Sequence, residues 1–131
     1  MKKILFLLCF LTLFQLSCAT VDRCAETHVK KSPYSSKEVV ESKLKTPSKE
    51  GVVRLLFEAP WCDACKRLDV LMGQAEVKDK VLRLNVDETW AFLTSRSLQV
   101  GSVPTLVEIR RGMPPVIITG PEKIVMRLLI K

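Results

Sequence analysis

The apolar run Val52-Val53-Arg54-Leu55-Leu56-Phe57 passes within a few residues into Trp61-Cys62-Asp63-Ala64-Cys65, and Lys66-Arg67-Leu68 leads out with helical periodicity. A chain that reads this way must place two cysteines, three apart, at a strand-to-helix junction. Cys62 then sits at the first turn of the helix, where unpaired backbone N–H groups and the positive end of the dipole favour a thiolate. Cys65 lies one turn on and faces the same way, close enough to attack a mixed disulfide formed on Cys62.

Half of a zinc site has the same spacing, but zinc needs two more ligands. The chain holds five cysteines and one histidine. Those outside the pair are Cys9, Cys18, Cys24 and His28, all N-terminal, with no second CxxC and no HxxxH among them. Covalent c-type haem needs histidine directly after the second cysteine, and Lys66 occupies that position. A purely structural disulfide is the remaining competitor; redox chemistry is the favoured reading, with no metal and no cofactor beyond the Cys62–Cys65 pair.

The chain opens on Met1-Lys2-Lys3 and an almost unbroken apolar run from Ile4 to Leu16. A bilayer core of about 30 Å takes roughly 20 helical residues, so this run is short for a span and suits a signal-peptide core. Leu16-Ser17-Cys18 resembles a bacterial lipobox, with Gln15 where leucine is usual, and marks Cys18 for lipidation. The alternative is ordinary cleavage after Ala19, which would leave a soluble protein. Residues 1–17 are thus read as a lipoprotein-type signal and 18–36 as a polar tether containing Cys24, His28 and Lys30-Lys31-Ser32-Pro33-Tyr34-Ser35-Ser36. Residues 37–131 are read as one domain. Either processing route puts the protein on the periplasmic or cell-envelope side, where an oxidising environment leaves a CxxC disulfide-bonded unless a partner reduces it. The formal net charge is +7, to which Lys2 and Lys3 contribute. The remaining positive residues are scattered, so nucleic acid is not an expected partner, and a solvated surface accounts for them.

Ser35-Ser36-Lys37-Glu38 offers a capping box ahead of a helix with Val39, Val40 and Leu44 on one side, stopped by Pro47. After the cysteine helix, whose core positions are Ala64, Cys65, Leu68, Leu71, Met72 and Ala75, Val81–Val86 reads as a strand with Leu82, Leu84 and Val86 on one face. Asp87–Leu98 reads as a helix with Trp90 and Leu93 inward. Thr105–Ile109 and Val116–Thr119 are strands about a turn at Gly112, and Gly120-Pro121 opens a last helix to about Ile130. The order makes a mixed α/β sheet.

These motifs, at these places, resemble the thioredoxin family from about Val39 to Lys131. Ala59-Pro60-Trp61-Cys62-x-x-Cys65-Lys66 is similar to its active-site segment, Leu84-Asn85-Val86-Asp87 to its second central strand, and Val100-Gly101-Ser102-Val103-Pro104-Thr105-Leu106 to the loop carrying its cis-proline. Either motif alone is weak; their joint occurrence is specific. The resemblance implies a central mixed four-stranded sheet flanked by helices. It implies Cys62 as an exposed nucleophile and Cys65 as the resolving thiol. It also implies a cis Pro104, with Trp61, Pro60 and Val103 forming the rim that binds substrate and the Val103 backbone pairing with an extended segment.

Two departures bear on mechanism. The family's buried aspartate, six residues before the first cysteine, is Leu56 here. Glu58 has the same strand parity and is a candidate proton acceptor, or else a solvated residue at the strand end. Arg83 stands where the family has the lysine that partners that aspartate, so a Glu58–Arg83 pair is conceivable. Between the cysteines stand Asp63-Ala64, and a carboxylate beside Cys62 should repel its thiolate. Trp-Cys-x-Ala-Cys-Lys is nearer the reducing domains of the DsbD type. The expected protein is a monomeric, exported oxidoreductase that reduces or isomerises disulfides of envelope proteins and is recharged by a membrane thiol donor. The competing reading is a non-catalytic chaperone or partner-binding lipoprotein using the same groove.

Overall fold

The computed structural model describes residues 32–46 and 51–130. The signal segment, Cys18, Cys24, His28 and the first part of the tether lie outside the described residues. Helix α1 (Lys37–Lys45) is followed by β1 (Val52–Glu58), α2 (Asp63–Gln74), a 3-10 turn (Lys78–Lys80) and β2 (Leu82–Asn85). Then come α3 (Thr89–Ser97), β3 (Thr105–Arg110), β4 (Val116–Thr119) and α4 (Pro121–Leu129). Among the described residues the strands form one sheet in the order β2-β1-β3-β4, with β1 parallel to β2 and antiparallel to β3, and β3 antiparallel to β4. This is the mixed four-stranded sheet of a thioredoxin fold.

The near-continuous apolar run of β1 is explained by burial on both faces. Val53, Leu55 and Phe57 point into one layer with Val40, Leu84, Ala91, Val100 and Val107. Leu56 points into the other with Leu68, Met72, Val77, Leu106, Ile124 and Leu128. Helix α2 presents Cys65, Leu68 and Met72 inward, a helical stripe that fastens it to the second layer. The last helix starts where expected because Gly120 takes a φ of 91°, open to glycine, and Pro121 pre-sets the first helical turn.

Three local expectations are corrected. Ser36, not Ser35, caps α1, its Oγ accepting from Val39 N at 3.5 Å; the Ser35 N–H is spent on Arg83 O at 2.8 Å. Of the apolar side of α1 only Val40 is buried, while Val39 and Leu44 remain exposed. In α3, Ala91 and Ser95 face the core and Trp90 is partly buried, but Leu93 is 62% exposed. The helix also starts later than expected: Asp87 N donates to Asn85 Oδ1 and Glu88 N to Asn85 O, so these residues form a turn and the helix begins at Thr89.

Away from the cysteines, Glu108 on β3 is buried and meets three arginines. Arg54 Nε lies at 3.1 Å, Arg127 Nη2 at 2.7 Å and Arg110 Nη2 at 3.7 Å. Burial pushes this carboxyl up, but the Arg127 and Arg54 hydrogen bonds and charges more than offset it and hold it below its ordinary value of 4.5. Its contribution to stability is therefore complete above pH 4.5 and is lost as pH falls through the lower folded-state value. Glu108→Gln should destabilise the domain at neutral pH by about 3 kcal/mol, the lower end for breaking a buried pair because Arg110 and Arg127 are part exposed. Urea unfolding should show a lower midpoint with an unchanged slope.

Candidate active site

Strand β1 ends at Glu58, and Ala59-Pro60-Trp61 turn the chain onto the N-terminus of α2. Cys62 is the N-cap residue, in extended backbone (φ −84°, ψ 108°), and its Sγ accepts from Cys65 N at 3.1 Å. A sulfur thus takes the place that a serine or aspartate oxygen takes in ordinary capping, beside the positive end of the helix. Cys62 and Cys65 form a disulfide with their Cα atoms 5.2 Å apart. Both pack against Ala59, with Val86 and Val103 alongside. Contrary to the expectation of an exposed nucleophile, Cys62 is only 6% exposed in this oxidised state, covered by its partner sulfur and these apolar neighbours.

The loop before β3 supplies the facing wall. The Val103–Pro104 peptide bond is cis, Pro104 is buried, and Val103 O lies 3.7 Å from Cys62 Sγ. Trp61 is 65% exposed beside the pair, yet its ring is fixed: Nε1 donates to Asp87 Oδ1 at 2.9 Å. Pro60 is exposed on the same turn. The structure therefore brings Cys62, Cys65 and Val103 into one cluster, with Trp61 adjoining it in the chain. The Asp87 tether on Trp61 was not foreseen; an acidic residue just after a strand gives no hint of which indole it will meet.

Asp63 is nearly fully exposed and pairs with Lys66 Nζ at 2.8 Å. That hydrogen bond and charge hold the Asp63 carboxyl below its ordinary value. The repulsion of a Cys62 thiolate expected from Asp63 is accordingly weakened, because Lys66 cancels much of the charge and water screens the rest.

Glu58 is not solvated: it is 2% exposed, and its Oε1 accepts from Arg83 Nε at 2.5 Å. Parallel pairing sets Arg83 opposite Leu56, and alternation along β2 sends Arg83 toward the α2 layer while Leu82 and Leu84 face the other. The conceivable pair is thus formed. The missing aspartate position, Leu56, is apolar core. Arg83 Nη1 also donates to Asp69 Oδ1 at 2.9 Å, and Lys78 Nζ lies 3.1 Å from the same carboxylate. Burial pushes the Glu58 carboxyl above its ordinary value, and the Arg83 hydrogen bond and charge offset this only in part. Asp69 goes the other way: its burial penalty is outweighed by Lys78 and Arg83, and it is held low. Tyr34 joins the group electrostatically; burial and the Glu58 charge raise its phenol. Asp69 escaped the sequence reading, although a polar residue one turn beyond Cys65, on the inward side of α2, was a usable signal.

The family model for thioredoxin matches residues 22–128. This chain belongs to the thioredoxin family. Thioredoxin from Staphylococcus epidermidis is 33% identical over 81 residues, covering 59% of this chain and 76% of that protein. Staphylococcus aureus thioredoxin is 32% identical over the same shares. Among solved structures, the germline-specific thioredoxin Deadhead of Drosophila melanogaster superposes with a TM-score of 0.57 at 19% identity, covering 73% of this chain and 92% of that one. Thioredoxin O2 of Arabidopsis thaliana, in its oxidised state, gives 0.53 at 24% identity over 73% and 90%. The fold, the CxxC pair and these thioredoxin relatives make the protein a thiol–disulfide oxidoreductase. Its substrates are disulfide-containing proteins, and the cysteine pair is its redox group.

The raised Glu58 carboxyl has a thermodynamic signature opposite to that of Glu108. A folded-state pKa above the unfolded one gives stability that is present below pH 4.5 and lost as pH rises through the folded value. Stability curves of the oxidised protein and of Glu58→Gln should therefore diverge over that window, with the wild type losing ground to the variant as pH rises. Equilibrium unfolding at a series of pH values measures the difference; parallel curves would mean that Glu58 titrates normally.

Proposed function

We propose that this thioredoxin-family protein works outside the cytoplasm, lipid-anchored through Cys18, and reduces or isomerises disulfides of envelope proteins. Support for export comes from the Lys2-Lys3 start, the apolar run Ile4–Leu16 and the Leu16-Ser17-Cys18 motif. Support for the chemistry comes from one observation above all: the helix-capping Cys62 sulfur, disulfide-bonded to Cys65 and 3.7 Å from the backbone oxygen of Val103.

In the reduced protein the Cys62 thiolate is the nucleophile. It attacks one sulfur of a substrate disulfide, forming a mixed disulfide while the other substrate sulfur leaves as thiolate. An extended substrate segment lies along the Val103 backbone, and Trp61 and Pro60 supply the apolar rim beside it. Pro104 carries no N–H, so the pairing falls to Val103. Cys65 gives its proton to Glu58 and attacks the Cys62 sulfur. The second substrate thiolate departs and the Cys62–Cys65 disulfide closes. Two electrons have passed to the substrate, and a membrane thiol donor of the envelope returns them. The chaperone reading drew its strength from Leu56; a buried Glu58 one alternation further along β1 supplies the carboxylate that Leu56 lacks.

Cys65→Ser, expressed in the cells of origin, should accumulate mixed disulfides through Cys62 with envelope proteins, seen as reducible high-mass bands in the membrane fraction. Adding Cys18→Ala should release those bands to the soluble envelope fraction. Absence of trapped species, together with no disulfide reduction by the dithiol form, would sink the catalytic reading. Equilibration of the purified protein against glutathione should place its potential near about −270 mV, and a value near about −120 mV would reverse the proposed direction.

A further inference from the structure

The carboxylates of Glu58 and Asp69 compete for one guanidinium. Arg83 Nε serves Glu58 Oε1 at 2.5 Å and Nη1 serves Asp69 Oδ1 at 2.9 Å. Lys78, carried on the 3-10 turn after α2, holds Asp69 from the far side at 3.1 Å. The order Glu58–Arg83–Asp69–Lys78 alternates in sign and runs outward, from a residue 2% exposed to a lysine side chain 44% exposed. It begins beside Ala59, which packs on both cysteines. It passes through Asp69, four residues beyond Cys65 on α2 and so about one helical turn away.

We propose that Asp69 and Lys78 are positioning residues that set how strongly Glu58 binds the proton of Cys65, by dividing the Arg83 charge between two carboxylates. The inference rests on Glu58 being the acceptor. Asp69 draws Arg83 toward itself and adds a negative charge near Glu58; both effects make Glu58 a better base. Lys78 does the reverse, neutralising part of Asp69. Two carboxylates in one network are thereby driven to different tasks: Asp69 stays ionised as an anchor, and Glu58 exchanges a proton. The groups facing Glu58 are Arg83 from β2, Asp69 from α2, Lys78 from the 3-10 turn and Tyr34 from the segment before α1. Tyr34 is brought to the site by the Ser35 N–H bond to Arg83 O. The step being tuned balances without an outside reagent. The Cys65 proton goes to the Glu58 carboxylate, the Cys65 sulfur bonds to the Cys62 sulfur, and the substrate thiolate leaves with the electron pair of the broken S–S bond.

The test is the pH dependence of substrate-thiol release from the Cys62 mixed disulfide. The full chain is reduced, mixed with 5,5'-dithiobis(2-nitrobenzoate), and followed by stopped flow. Asp69→Asn should move the inflection to lower pH by about one unit, the size expected for loss of a neighbouring charge. Lys78→Gln should move it upward. Both sites are part exposed, so both variants are expected to fold, and unfolding curves check this. A downward displacement for Asp69→Asn together with an upward one for Lys78→Gln supports the inference, and the reversed pair overturns it. Unmoved inflections, or shifts in the same direction, overturn it while leaving Glu58 as the acceptor. Glu58→Gln tests that underlying reading separately: it should abolish the inflection, and persistence of the inflection would remove Glu58 from the mechanism and this inference with it.

Discussion

The rest of the molecule depends on the burial of β1 from both sides. Val53, Leu55 and Phe57 are clamped into one apolar layer and Leu56 into the other, which leaves the strand no freedom to slip or tilt. Its end is therefore a fixed point. Ala59 packs against the cysteines from there, and the chain turns onto α2 with Cys62 as the capping residue. Helix α2 is itself fastened through Leu68 and Met72, so the sulfur is held between two elements packed into the core. The reactive group owes its position to core packing and its character to the unpaired N–H groups of the helix start.

Two buried glutamates on this sheet show how one residue type is turned to two ends. Glu108 faces Arg54, Arg110 and Arg127, more positive charge than it needs, and is held firmly ionised. Among the described residues Glu58 is hydrogen-bonded to one guanidinium, which it shares with Asp69, so burial wins and its proton affinity rises. The first arrangement joins β1, β3 and α4; the second stands at the end of β1, one residue before Ala59, which packs on the cysteines. A carboxyl whose proton affinity is raised is suited to exchanging a proton, and the proposed mechanism gives this glutamate that task.

Legibility in the sequence followed the physics of each signal. Apolar runs located the four strands and most of the inward stripe of α2, Ala64 excepted, which is exposed, while Gly120-Pro121 marked the start of α4. The assignment faltered at α1 and α3. Val39, Leu44 and Leu93 have apolar side chains at plausible helical spacing, yet they lie outside because the neighbouring layer was already filled by Val40, Ala91 and partners from the sheet. The spacing of apolar residues tells which face could be buried; what is available to cover that face is a property of the assembled domain.

For the site, the sequence by itself determined the cysteine pair at a helix start, and its resemblance to the thioredoxin family added the Val103-Pro104 wall and the loss of an acid at Leu56. These are local patterns or motifs a few residues long. Only the tertiary structure decided that Glu58 is buried instead of solvated, that Arg83 is divided between Glu58 and Asp69, that Asp87 holds Trp61, and that Lys66 blunts the charge of Asp63. Apart from the last, a local pair three residues apart on α2, these are side chains from separate elements whose meeting depends on strand register and helix rotation. Proton affinity in such a site is set by burial and by neighbours distant in the chain, quantities that come into existence only when the layers close.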